Sequence, residues 1–189
     1  MSAPVKIALP GEAGLLALLP AGTPVRLSGV VFTARDATHE RLAAELDRLG
    51  HLPYGLDGQV LFYAGPTPPA AGRPAGAVGP TTAKRMDPWT PRLLKAGIAA
   101  TIGKGGRSDE VREACAETGA VYLAAVGGAA ALLATHVTEA ETIAYEDLGT
   151  EALVRMTLED FPAWVAIDAK GVDLYAEARV DWVSRGDAL

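Results

Sequence analysis

The sequence predicts a single α/β domain, residues 1–189, built on a mixed sheet flanked by helices. Three observations carry that expectation. Strand-like and helix-like patterns alternate through the middle of the chain, strand patterns flank them at both ends, and no internal repeat, heptad or linker interrupts the order. Hydrophobic residues make up 49% and charged residues 21%, enough to bury a core without disulfide staples.

The elements follow in order. VKIALP at 5–10 alternates and then meets a proline, as a short strand does. PVRLSGVVFTARD at 24–36 is a longer strand pattern, with Ser28-Gly29 as a bulge or turn. Asp36 can cap the helix that follows. Leu42, Leu46 and Leu49 share one helical stripe, Arg41 and Glu45 stand four apart as an ion pair, and Gly50 ends it. GQVLFYAG at 58–65 reads as a buried strand. Residues 66–80 are too rich in Pro and Gly for a helix or central strand, and a loop of that length often serves function.

Asp87 is a natural N-cap, with Pro88 at the first position of a short helix ending at Gly97. IAATIG at 98–103 is a strand. Ser108 caps a helix with Asp109 and Glu110 in its first turn, and Gly119 stops it. AVYLAAVG at 120–127 is another buried strand, and GAAALLATHV a helix or tight loop. ALVRMTLED and AWVAIDAKGVDLYAEA read as closing strands, with a turn near Lys170-Gly171.

Charge and cysteine content narrow the partners. Net charge is −6, and an acidic surface repels phosphate backbones, so nucleic acid is not expected. A lone Cys115 forms no internal disulfide, suits a reducing cytoplasm, and cannot anchor a zinc or iron–sulfur site by itself. The stretch MSAPVKIALPGEAG lacks a basic region followed by a long apolar run, so no signal peptide is expected. The apolar run at 120–134 is short for a bilayer, so no membrane span is expected either.

Three polar segments each follow a predicted strand: TARD (33–36), GPTTAKRMD (79–87) and IGKGGRSDE (102–110). Loops after strands are where sheet proteins hold ligands. Each segment offers a cation: Arg35, Arg85 and Lys104. Arginine grips a carboxylate with two parallel hydrogen bonds and lysine adds a compact charge, so their convergence would suit a small dicarboxylate. Each residue also has an ordinary alternative. Arg35 and Asp36 can balance one another, Lys84 can be a solvated neighbour of Arg85, and Thr81 and Thr82 can be turn hydroxyls. His39 lies in the first turn of an amphipathic helix and reads as structural; Cys115 reads as packed. GKGG at 103–106 fits neither phosphate-loop pattern, because Lys104 precedes Gly105 and position 108 is Ser.

Taken together, several segments resemble one family. SGVVFTARDATHERL, YAGPTPPAAGRPAGAVGPTTAKRMD, TIGKGG, GAVYLAAVGGAAALL and LEDFPAWVAIDAKG look like the C-terminal, or beta, portion of class I iron–sulfur fumarate hydratases. L-tartrate dehydratase beta subunits share the pattern. The resemblance covers about residues 5 to 176. It implies a swivelling β/β/α fold and the reversible addition of water to fumarate, giving L-malate. It implies a four-iron–four-sulfur cluster held by three cysteines of an alpha subunit, with none bound by this chain alone. A chain of this length then looks like a separate beta subunit that needs that alpha partner, in a heteromer where beta chains can also dimerise.

Carried over by position, the resemblance makes Thr81 the catalytic base and Arg35, Arg85 and Lys104 the substrate-binding cations. Asp36, Thr82 and Asp87 complete the motif as supporting residues, and Lys84 stands where a small residue is common. L-tartrate as substrate, or a non-catalytic carboxylate-binding module, are the alternatives left open.

Overall fold

In the computed structural model, which describes residues 3–179, the alternating centre of the chain forms a parallel βαβ series. Strand β2 (Pro24–Thr33) leads through helix α1 (Asp36–Leu49) to β3 (Val60–Phe62). Helix α2 (Thr90–Lys95) leads to β4 (Ala100–Gly103), and α3 (Asp109–Thr118) leads to β5 (Val121–Ala124). The short strand β1 (Val5–Leu9) pairs parallel to the first half of β2. After α4 (Ala130–Leu133), β6 (Val137–Ala144) and β7 (Leu153–Ile167) add antiparallel pairings. The sheet is therefore mixed and flanked by helices, as expected.

The strand order is β1-β2-β3-β4-β5-β7-β6, and β7 also pairs antiparallel with β2. The 15-residue β7 is long enough to reach β5 with its last residues and β2 with the rest. The pairings β2–β3–β4–β5–β7–β2 thus close on themselves, which leaves few exposed strand edges.

Side chains alternate across this ring with the strand period of two. Val60, Phe62 and Ala64 belong to one apolar core, with Ala100, Ile102, Val121 and Leu123. Leu61 and Tyr63 belong to the other, with Tyr122 and the helical residues Leu42, Leu93, Leu94, Val111 and Ala114. Helices α1 to α3 therefore cover one face, and their buried stripes explain why they form there. Ser28-Gly29 does mark an irregularity: the β2–β7 register shifts between Leu27 and Gly29. Gly29 has φ +110°, and a Cβ on it would stand 2.0 Å from the Leu9 carbonyl oxygen, so only glycine lets β1 approach here.

Four expectations need correction. Strand β6 is not legible in the sequence, because half of its residues are polar and, at an edge of the sheet, only Val137 is buried. The two closing strands are one, bent at Asp160, where φ is +51°. Residues 174–179 are helical, so DLYAEA is not strand. Arg41 pairs with Asp147 across the surface, while Glu45 accepts hydrogen bonds from Tyr54 and Tyr145.

Candidate active site

The parallel registers align Thr33, Phe62, Ile102 and Leu123 across β2 to β5. Arg35 and Lys104 each lie two residues beyond that line, on the same C-terminal edge of the sheet. GPTTAKRMD reaches the edge too, by an unusual route. The Thr81 N–H donates to the Tyr63 carbonyl (2.6 Å), the Lys104 N–H to the Thr81 carbonyl (3.2 Å) and the Ala83 N–H to the Lys104 carbonyl (2.9 Å). Thr82 and Lys104 form a parallel bridge. The polar stretch is thus an extra rung inserted beyond the ends of β3 and β4. Gly103 permits it: a Cβ there would stand 2.9 Å from that of Ala83 and 3.0 Å from the Tyr63 ring.

One 3-10 turn, Ala83–Met86, follows the rung. Ala83 and Met86 are buried, so Lys84 and Arg85 face outward. Lys84 therefore meets no tight backbone packing. Thr81 is partly exposed and Thr82 exposed.

Asp36 joins the two arginines. Arg85 donates through Nε to Asp36 Oδ1 at 2.9 Å, and its Nη2 lies 2.9 Å from Oδ2, an ion-pair distance without hydrogen-bond alignment. Arg35 Nη2 is 3.9 Å from Oδ2 and 3.1 Å from Glu151 Oε1. Two guanidinium groups repel, and the carboxylate between them offsets that repulsion. Asp36 is not the cap of α1; Arg35 holds that position. The cap comes from afar, where Glu151 Oε2 accepts the Ala37 N–H at 3.0 Å. Arg35 also lies against Gly65, where a Cβ would be 3.0 Å from its Cδ and Nη1. Lys104 lies along Gly127 in the same way, its Cδ 3.1 Å from where a Cβ would sit. Arg35 Nε is buried without a partner among the described residues.

Asp87 does not cap its own helix either, since α2 begins at Thr90, with Pro91 rather than Pro88 in its first turn. Its carboxylate crosses to the next segment. Oδ1 accepts from Arg107 Nε and Oδ2 from the Ser108 N–H, both at 2.7 Å. The Arg107 side chain is wholly buried, beside the rings of Tyr63 and Tyr122. Burial disfavours its charge, but Tyr63 and Asp87 outweigh that, and its pKa is raised.

His39 is structural, as read. It is fully buried, its Nδ1 lies 2.8 Å from the Arg35 carbonyl oxygen, and its ring meets Tyr63 edge-on at 5.0 Å. Burial pulls its pKa down to about 4, so the ring is neutral at pH 7 and Nδ1–H donates. Cys115 is buried, which pushes its thiol up to about 11.

The edge therefore brings together Thr81, Thr82 and Lys104 through the backbone, and Arg35, Asp36 and Arg85 through ion pairs. Sequence reasoning missed Glu151 and Arg107. Glu151 lies 114 residues from Ala37 and carried no signal. Arg107 stood in the segment that supplied Lys104, and a cation so close to a predicted site was the available clue. Among the described residues, no group of three or more His, Cys, Asp or Glu side chains is placed to hold a metal ion. A single buried thiol offers too few ligands to hold a cluster.

A family model described as "Fumarase C-terminus" matches residues 4–178. The chain belongs to that family. Among its relatives is the anaerobic class I fumarate hydratase of Escherichia coli K12, 38% identical over 164 residues, which are 86% of this chain and 30% of that protein. Fumarate hydratase 2 of Leishmania major is 37% identical over 164 residues, 86% of this chain and 29% of that protein. The family member thus spans under a third of the length of these relatives. A Methanocaldococcus jannaschii protein, provisionally named L(+)-tartrate dehydratase subunit beta, is 34% identical over 165 residues. These are 84% of this chain and 85% of that protein.

Proposed function

We propose that this chain is the carboxylate-holding beta part of a class I hydro-lyase, which adds water reversibly to fumarate in company with a cluster-bearing alpha partner. The observation that carries the reading is the strand edge itself. There the backbone sets Thr81 against Lys104, while Arg35 and Arg85 share Asp36. The names of the relatives point to the same reaction class.

In this reading the cations hold the two carboxylates of the substrate. Arg85 commits Nε and Nη2 to Asp36, which leaves Nη1 without a protein partner among the described residues. Three cations against Asp36 and Glu151 leave one positive charge in excess, which favours a dianion. Removing a proton from the carbon beside a carboxylate drives negative charge toward that carboxylate. Fixed cations stabilise that charge most strongly once water is excluded. The Thr81 hydroxyl receives the proton as base, and since a free hydroxyl is a weak base, nearby positive charge must favour its ionised form. Arg85, half-exposed, lies on an open edge, so a partner surface has to close over it. The iron–sulfur group belongs to that partner, where it would act as a Lewis acid on the departing hydroxyl.

L-tartrate is the second reading. It is favoured by the relative whose own length this chain nearly matches. Reconstitution with an alpha partner under anaerobic conditions, followed by assays on fumarate, L-malate and L-tartrate, separates the two. Inactivity on all three, with the cluster intact, would leave a non-catalytic carboxylate-binding module.

A further inference from the structure

We infer that Arg107 is the positioning residue that sets the spacing between the Thr81–Arg85 turn and Lys104. The inference rests on the functional reading above but on different atoms. Arg107 contacts the segments that present Thr81, Arg85 and Lys104. Nε donates to Asp87 Oδ1 (2.7 Å), at the end of the turn bearing Arg85. Nη2 donates to Thr90 Oγ1 (2.8 Å), whose hydroxyl in turn donates to the Met86 carbonyl (2.9 Å) in the same turn. Nη1 reaches Thr101 Oγ1 (3.3 Å) in β4, three residues before Lys104. The guanidinium lies 5.2 Å from the centre of the Tyr63 ring, and the Tyr63 carbonyl holds the Thr81 N–H. It lies 4.9 Å from the Tyr122 ring, whose hydroxyl donates to the Gly105 carbonyl (2.8 Å), next to Lys104.

One planar group therefore braces the inserted rung from the helix side of the sheet. Nη2 also reaches the Tyr63 hydroxyl (3.4 Å), and only a fork of fixed N–H directions meets four acceptors and two rings at once; an ammonium presents its donors from a single point. A displacement of about 1 Å at a reacting group can cost ~100-fold in rate, so a brace on the rung matters to the chemistry without touching substrate.

The test uses Arg107→Lys in the full chain, alone and assembled with its alpha partner. Hydrogen exchange is read at the Thr81, Ala83, Lys104 and Ser108 amides, with the β2–β7 ladder as internal reference. We expect exchange at least ~10-fold faster at the four site amides and unchanged in the ladder. In the assembled enzyme we expect kcat to fall ~100-fold while the partner still binds. Equal loosening of both regions would make Arg107 a general stability residue and overturn the proposal, as would no change in either. Selective loosening with unchanged kcat would also overturn it, by removing the rung from catalysis; wild-type activity on fumarate or L-tartrate tests the functional reading separately. Should the lysine variant not fold, Thr90→Val decides, because it deletes one acceptor at nearly constant shape. The same selective loosening, smaller in size, is then the supporting result.

Discussion

Arg85 with Asp36 and Arg107 with Asp87 are the same chemistry in two settings. Both arginines sit in loops after parallel strands, and both pair with an aspartate through Nε at close range, 2.9 Å in one case and 2.7 Å in the other. Exposure separates them. The Arg85 and Asp36 side chains are 50% and 27% exposed; those of Arg107 and Asp87 are 0% and 9%. An exposed pair gains little from its contact and keeps donors for a ligand. In the buried pair every Arg107 nitrogen and both Asp87 oxygens are hydrogen-bonded, and separating it strands a charge. The candidate site thus has a working face and a bracing face, built from identical residue types.

The largest expected effect lies on the working face. Thr81→Ala should abolish turnover in the assembled enzyme while urea denaturation of the chain stays within ~1 kcal/mol of the parent, since a partly exposed hydroxyl carries little of the fold. Wild-type turnover from that variant removes Thr81 from the chemistry.

Next comes the bracing face. Asp87→Ala leaves Arg107 buried and unpaired, and should destabilise the chain by about 3–5 kcal/mol in urea unfolding. A loss below ~1 kcal/mol would erase the distinction between the two pairs.

Arg85→Ala should behave in the opposite way. Its cost to stability should not exceed ~1 kcal/mol. In the assembled enzyme it should lower kcat/KM by ~2–5 kcal/mol, the scale for breaking a desolvated charge contact with a ligand. Unchanged kcat/KM would return Arg85 to the surface.

The smallest effect concerns His39, whose Nδ1–H holds the Arg35 carbonyl. Its folded pKa is about 4 against 6.5 in the unfolded chain. Between those values the unfolded state binds the extra proton, so stability is present above pH 6.5 and is lost as pH falls toward 4. The loss amounts to at most about 3 kcal/mol. Asn at position 39 can still donate to that carbonyl but does not titrate. Its unfolding free energy should be flatter across that pH range, and equal slopes in both proteins would count against a neutral buried imidazole.

Much of this was legible beforehand, for local reasons. The α/β class followed from periodicity, the helix ends from Gly50 and Gly119, and the bulge from Ser28-Gly29. The three cationic segments followed from their positions after strands. Local chemistry misled at Asp36 and Asp87. Each has the residue type and setting of an N-cap, yet each carboxylate turns to an arginine from another element. A charge-assisted bond to arginine is roughly twice as strong as a neutral one, and only the fold brings that partner within reach.

The sequence by itself nominated the cations that a small diacid would need, because side-chain chemistry and strand periodicity are local properties. Tertiary structure alone decided that residues 81–83 pair as a rung with Lys104, that Glu151 caps α1, and that Arg107 is sealed between two tyrosines. Those facts depend on contacts between residues 15 to 114 positions apart, and on which side of a strand each side chain falls once the ring of strands has closed.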